Sequence, residues 1–156
     1  MPFKGQTALS YDGFDSMISG VVHPDGRAAE GWVQTTITGP KTLDYDVKGL
    51  GDYPAAFRVK VNGDVVHERV GSFNWNHQRI HLPPGIHTVR WEVSRAATSP
   101  GKSLRFFVDK VTVTNVVDSD GDGLSDAWEE DFFSGLSRDG TLDYDDDGVI
   151  DSLEYA

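Results

Sequence analysis

Phe57-Arg-Val-Lys-Val-Asn-Gly-Asp-Val-Val-His-Glu-Arg-Val70 is the stretch that decides the fold. Phe57, Val59 and Val61 alternate with Arg58 and Lys60, the period of a strand with one face on a core and the other in water. Asn62-Gly63 then supplies two residues that tolerate φ > 0, as a two-residue hairpin turn requires, and residues 64–70 return alongside.

The same grammar repeats outward. Residues 42–48 place Leu43, Tyr45 and Val47 on one face and Asp44 and Asp46 on the other. Residues 32–38 form a strand that ends at Gly39-Pro40. Residues 75–82 and 88–93 flank a turn at Pro83-Pro84-Gly85, and in the second of them Trp91 sits between Val89 and Val93 in core-facing alternation. A last long strand over 104–114 follows a loop at 96–102, and nothing before residue 118 has helical periodicity. Seven or eight short strands with turns at this spacing predict an all-β body, a jelly-roll β-sandwich over residues 1–117.

Composition allows this. The 156 residues are 38% hydrophobic with four Trp, eight Phe and five Tyr, enough for one cored domain and a small appendage. The absence of cysteine excludes disulfides, thiolate chemistry and Cys-ligated zinc. No apolar run approaches the roughly 18 residues of a membrane span, so no membrane insertion is expected.

Charge is concentrated at one end. Residues 118–156 hold fourteen acids against Arg138 alone, a net of −13, whereas the other 117 residues, with thirteen bases and eleven acids, net +2. Such a tail repels nucleic acid, and repels itself unless cations bind.

The tail has the pattern that would bind them. A calcium loop of EF-hand type supplies oxygens from positions 1, 3, 5, 7 (a backbone carbonyl), 9 and 12, with Gly at 6 for the turn. Asp118, Asp120, Asp122, Leu124, Asp126 and Glu129 fill those slots around Gly123; Asp143, Asp145, Asp147, Val149, Asp151 and Glu154 fill them again around Gly148. About two Ca²⁺ are therefore expected. The context is not that of an ordinary EF-hand: a strand enters the first loop, and only the exit over 126–133, closed near Gly135, reads as helix. Residues 118–156 are read as a short loop–helix calcium-binding appendage. The opening Met1-Pro-Phe-Lys has no apolar signal core, and with calcium loops present it is read as following a removed signal segment.

Other candidates are weaker. His77 and His81 share a strand face with His87 further on, but without acidic residues at ligand spacing they read as surface histidines rather than a zinc site. Among Trp32, Trp75, Tyr53 and Trp91, alternation assigns Trp91 to the core. Trp75, in Asn74-Trp75-Asn76-His77, and Tyr53, in Gly51-Asp52-Tyr53-Pro54, are the candidates for stacking on a sugar. No Gly-x-Ser-x-Gly, His-Glu-x-x-His or phosphate loop is present, so no catalytic residue is assigned and an enzyme is not expected.

Two resemblances add to this reading. Val33-Gln-Thr-Thr-Ile-Thr-Gly-Pro40, Thr42-Leu43, Val61-Asn62-Gly63, Leu82-Pro-Pro-Gly-Ile-His-Thr-Val-Arg-Trp91 and Phe107-Val-Asp-Lys-Val111 resemble the MAM/concanavalin-like jelly rolls of secreted bacterial proteins, over roughly residues 30–115. Asp109 takes the place of the first Asp of that family's Val-Asp-Asp-Val, and Lys110 replaces the second. The tail resembles the loop–helix repeats of bacterial thrombospondin-type-3 and dockerin-like tails. The resemblances imply a secreted or cell-surface module of a larger bacterial protein; with the candidate stacking aromatics, it is expected to be a non-catalytic carbohydrate-binding or adhesive module whose partner is a polysaccharide or cell-surface glycan. The alternative is a spacer, or a module docking another domain or protein through the tail, stiffened by calcium.

Overall fold

A computed structural model of the chain describes residues 4–6, 11, 16–18, 29–51, 55–95 and 104–155. The described part is mostly strand. Seven strands, β1 (Lys4–Gln6), β2 (Ser16–Ile18), β3 (Ala29–Gly51), β4 (Ala56–Val61), β5 (Asp64–Val70), β6 (Phe73–Arg95) and β7 (Leu104–Asn115), form one sheet in the order β1-β2-β7-β3-β6-β4-β5. Two short helices follow, α1 (Asp126–Phe133) and α2 (Asp151–Tyr155). Among the described residues no helix precedes α1, and none is long and apolar enough to cross a membrane.

The hairpin is built as its residues require. Asn62 (φ 53°) and Gly63 (φ 102°) turn the chain so that Val61 faces Asp64, and a bulge between Val59 and Lys60 shifts the register toward Val70. On its other side β4 pairs antiparallel with β6, setting Phe57 opposite Val93 and Val59 opposite Trp91. Those four side chains, with Leu43, Tyr45, Val47 and Phe106, are buried. Phe106 stacks obliquely on Phe57 and Phe73, and Tyr45 meets Trp91 edge-on at 6.0 Å. The opposite face of β4 carries ion pairs of Arg58 with Glu68 and Lys60 with Glu92.

Two expected turns are not turns. β3 runs without a break through Gly39-Pro40, whose peptide is cis, and β6 runs through Pro83-Pro84-Gly85. Proline lacks an N–H and is tolerated in a strand only where no ladder bond is needed. A close approach explains the choice of glycine: a Cβ on Gly39 would collide with the Pro83 carbonyl oxygen and lie 2.9 Å from that of Leu82. Proline and glycine mark a close approach of two continuous neighbouring strands, a long-range fact that local turn chemistry does not carry.

The chain divides into two compact units. One comprises Met1–Ile37, Asp44–Gln78 and His87–Thr112; the other comprises Thr38–Leu43, Arg79–Ile86 and Val113–Ala156. The second unit thus takes up the acidic tail together with stretches of β3 and β6. Within it, Asp131 on α1 accepts from Arg79 at 3.4 Å and lies 3.1 Å from His81 Nε2. Its small apolar core is Leu124, Trp128 and Tyr155, with Phe133 against them.

Candidate functional site

In the tail, Asp118, Asp120 and Asp122 bring one carboxylate oxygen each to within 4.8 Å of one another, and Asp143, Asp145 and Asp147 do the same. The two loops reach this by one backbone device. Their fourth positions (Gly121, Asp146) and sixth positions (Gly123, Gly148) all have positive φ, which the sixth-position glycines adopt without strain. The loops then hydrogen-bond alike. Asp118 accepts the amides of Gly121 (2.7 Å) and Gly123 (3.2 Å), and Asp143 those of Asp147 (3.3 Å) and Gly148 (2.8 Å). Asp122 accepts from Leu124 N–H and Asp147 from Val149 N–H. The ninth positions also correspond: Asp126 accepts the amide and hydroxyl of Ser119, and Asp151 accepts the amide of Tyr144. The Ser119 bonds hold the Asp126 carboxyl below the usual carboxylate range. Each ninth residue donates its own amide to the carbonyl just before its loop, Val117 or Leu142, at 2.8 Å.

Glu129 distinguishes this arrangement from a merely acidic loop. It is fully buried, and neither carboxylate oxygen has a hydrogen-bond partner; Asp122 Oδ2 is likewise buried and unpartnered. Burial first, then Asp122, Asp120, Asp126 and Asp118, pushes its carboxyl up to about 7. An unpaired buried carboxyl among four others has no favourable interaction until a cation joins it. The ligand set therefore fits a hard divalent ion, for which the twelfth-position Glu gives both oxygens. In the second loop Glu154 is exposed, and its carboxyl is raised by desolvation, then by Asp145, Asp147, Asp151 and Asp143. Asp151 is fully buried and accepts from Arg138 Nε at 3.0 Å. Leu124 and Val149 hold the seventh positions, from which only a backbone carbonyl could serve; the Leu124 side chain anchors its loop in the tail core. The first loop runs into the expected helix at Asp126 and the second into α2 at Asp151, and Ser134 rather than Gly135 takes the left-handed residue that closes α1.

A second candidate site surrounds Trp75. Its half-buried indole lines a shallow pocket of about 280 Å³ with Arg69, Phe73, Asn74 and Asn76. Tyr11 meets the indole edge-on at 5.9 Å. Lys48 Nζ lies 5.9 Å from the indole centroid and donates to Asn74 Oδ1, while Arg69 donates to Asn76 Oδ1. An aromatic face ringed by amides and charged donors suits a sugar, whose C–H groups stack while its hydroxyls bond outward.

No family model matches the chain, and no curated protein does. Among solved structures it is similar to TmCBM61, a carbohydrate-binding module solved in complex with β-1,4-galactotriose: 11% identity and a TM-score of 0.51 over 72% of this chain and 81% of that one. The likeness is one of fold.

The remaining candidates separate on that fold. Tyr53 lies outside the described residues. Trp91 is core, as its alternation requires, and Trp32 is exposed but lies under the Arg90 guanidinium at 4.4 Å. The histidines do not gather. His77 lies 3.1 Å from Asp44 and 3.5 Å from Asp46, His81 reaches Asp131, and His87 is buried 3.2 Å from Asn62 Nδ2. Asp46 is buried, not solvated, because strand pairing lays His77 over it. Lys48 and Arg69 escape sequence reasoning for the same reason, since their place beside Trp75 depends on which strands are neighbours.

Proposed function

We propose that this chain is a non-catalytic, calcium-binding module of a larger secreted bacterial protein that binds polysaccharide or cell-surface glycan. The observation that carries the calcium half is the buried, unpartnered Glu129 beside the Asp118/Asp120/Asp122 cluster. With Ca²⁺ bound, Asp118, Asp120, Asp122, Glu129 and the Leu124 carbonyl would hold one ion, and Asp143, Asp145, Asp147, Glu154 and the Val149 carbonyl a second. Asp126 and Asp151, already bonded to loop amides, act from the ninth position, which often works through water.

The carbohydrate half rests on the Trp75 face, and the likeness in fold to a carbohydrate-binding module supports it. The strand body, residues 1–117, carries this face, and residues 118–156 form the calcium appendage. A spacer or protein-docking role has one observation in its favour: Phe132, Leu142 and Leu153 of the tail are 57%, 62% and 65% exposed. A glycan array probed with the intact chain, with and without calcium, separates the readings. Saccharide binding weakened by Trp75→Ala supports the first; an empty array in millimolar calcium transfers the function to the second.

A further inference from the structure

Positive side chains in the described structure differ in what holds them. Arg58 pairs with Glu68, Lys60 and Arg90 with Glu92, Arg79 with Asp131 and Arg138 with Asp151. Lys48 and Arg69 pair with no carboxylate among the described residues. Each donates instead to an asparagine oxygen, Lys48 to Asn74 at 3.4 Å and Arg69 to Asn76 at 3.0 Å, and those two asparagines flank Trp75. A third cation, Lys110, sits 4.3 Å over the ring of Tyr11, which itself meets Trp75. An amide oxygen positions a cation without neutralising it, so among the described residues no carboxylate compensates the charges beside the indole.

Three described carboxylates make contacts with other groups. Asp44 and Asp46 face His77, and Asp109 is buried while accepting the amides of Tyr11 and Lys110. Among the described residues no carboxylate lines the Trp75 pocket.

We infer that the Trp75 face takes an anionic saccharide, with a carboxylate or sulfate ester on the ring that stacks against the indole. This rests on the reading of that face as a saccharide site and narrows its ligand class. Arg69 keeps most of its five donors for a planar anion, and Lys48 adds a point charge across the indole. A neutral sugar would use the stacking surface and the asparagines but leave both charges unanswered.

The test is calorimetry of the intact chain with three trisaccharides of one linkage: neutral, uronate and sulfated. An anionic sugar should bind about tenfold or more tightly than the neutral one at low salt, the scale of one charge-assisted hydrogen bond. The gap should close toward about 1 M salt, where screening acts within about 3 Å. Lys48→Gln and Arg69→Gln should each weaken anionic binding several-fold more than they weaken neutral binding. The tighter of the two anionic sugars identifies the charge as carboxylate or sulfate. Equal affinity for neutral and anionic sugars, or unchanged anionic binding in both variants, overturns this assignment and leaves the saccharide reading standing. Binding of none of the three overturns the saccharide reading itself.

Discussion

The Tyr45 hydroxyl and Nδ1 of His67 lie 2.6 Å apart, tying β3 to the edge strand β5. Burial keeps Tyr45 protonated far above its usual range and favours a neutral His67 ring beside it. Burial, then the charge of Arg69, lowers His67 from 6.5. As pH falls through that value the unfolded chain takes up a proton that the folded one resists, so this contribution to stability is full above about pH 6.5 and lost below it. The urea midpoint of the wild type relative to His67→Gln should fall from about pH 7.5 to about pH 5.5, so the two proteins should differ in slope over that window. An identical slope in the variant would show that His67 is not its source.

Trp75→Ala should weaken saccharide binding by about 1–3 kcal/mol, the scale of a central aromatic contact. Trp32→Ala should leave it unchanged, because Arg90 already covers that ring. Titration of both variants with the best-bound sugar decides; a larger loss at Trp32 would move the site to the other indole.

A fragment of residues 1–117 should keep a β-type circular dichroism spectrum, since Phe57, Val59, Trp91 and Phe106 make its core without the tail. It should melt below the intact chain, having lost the Asp131 partner of Arg79 and His81. A random-coil spectrum would falsify the division into body and appendage.

Period-two alternation located the buried side chains of β3, β4 and β6, because which face a residue takes is a local property. It could not say that Gly39 closely approaches Pro83, that Asp46 is covered by His77, or that Lys48 and Arg69 bond the asparagines flanking Trp75. Each of these depends on strand order, and in this sheet β3 lies between β7 and β6, far from it in sequence. The two acidic loops were legible as a pattern, since in each of them twelve consecutive residues carry every proposed ligand. Even there, the burial of Glu129 came only with the tail core around Leu124, Trp128 and Tyr155.

That burial gives the calcium reading its sharpest consequence. Fourteen acids against one Arg repel one another in residues 118–156, and three buried apolar side chains make too small a core to offset them. Two calcium ions would bring the tail from −13 to −9 and place the charge inside the loops. An ion that binds only the folded tail stabilises it by about 2.7 kcal/mol at a hundredfold excess over Kd, with Kd expected near the extracellular range of about 10⁻⁴ to 10⁻³ M or tighter. Glu129→Gln removes one buried charge, so it should lower calcium stoichiometry from near two to near one while making the metal-free tail more resistant to unfolding. Glu130→Gln, at an exposed neighbour, should do neither. Calorimetry and tail-Trp fluorescence (Trp128) measure both effects. If Glu129→Gln and Glu130→Gln behave alike, Glu129 is not a ligand, and if the wild type takes up no calcium at millimolar metal, neither loop is a site.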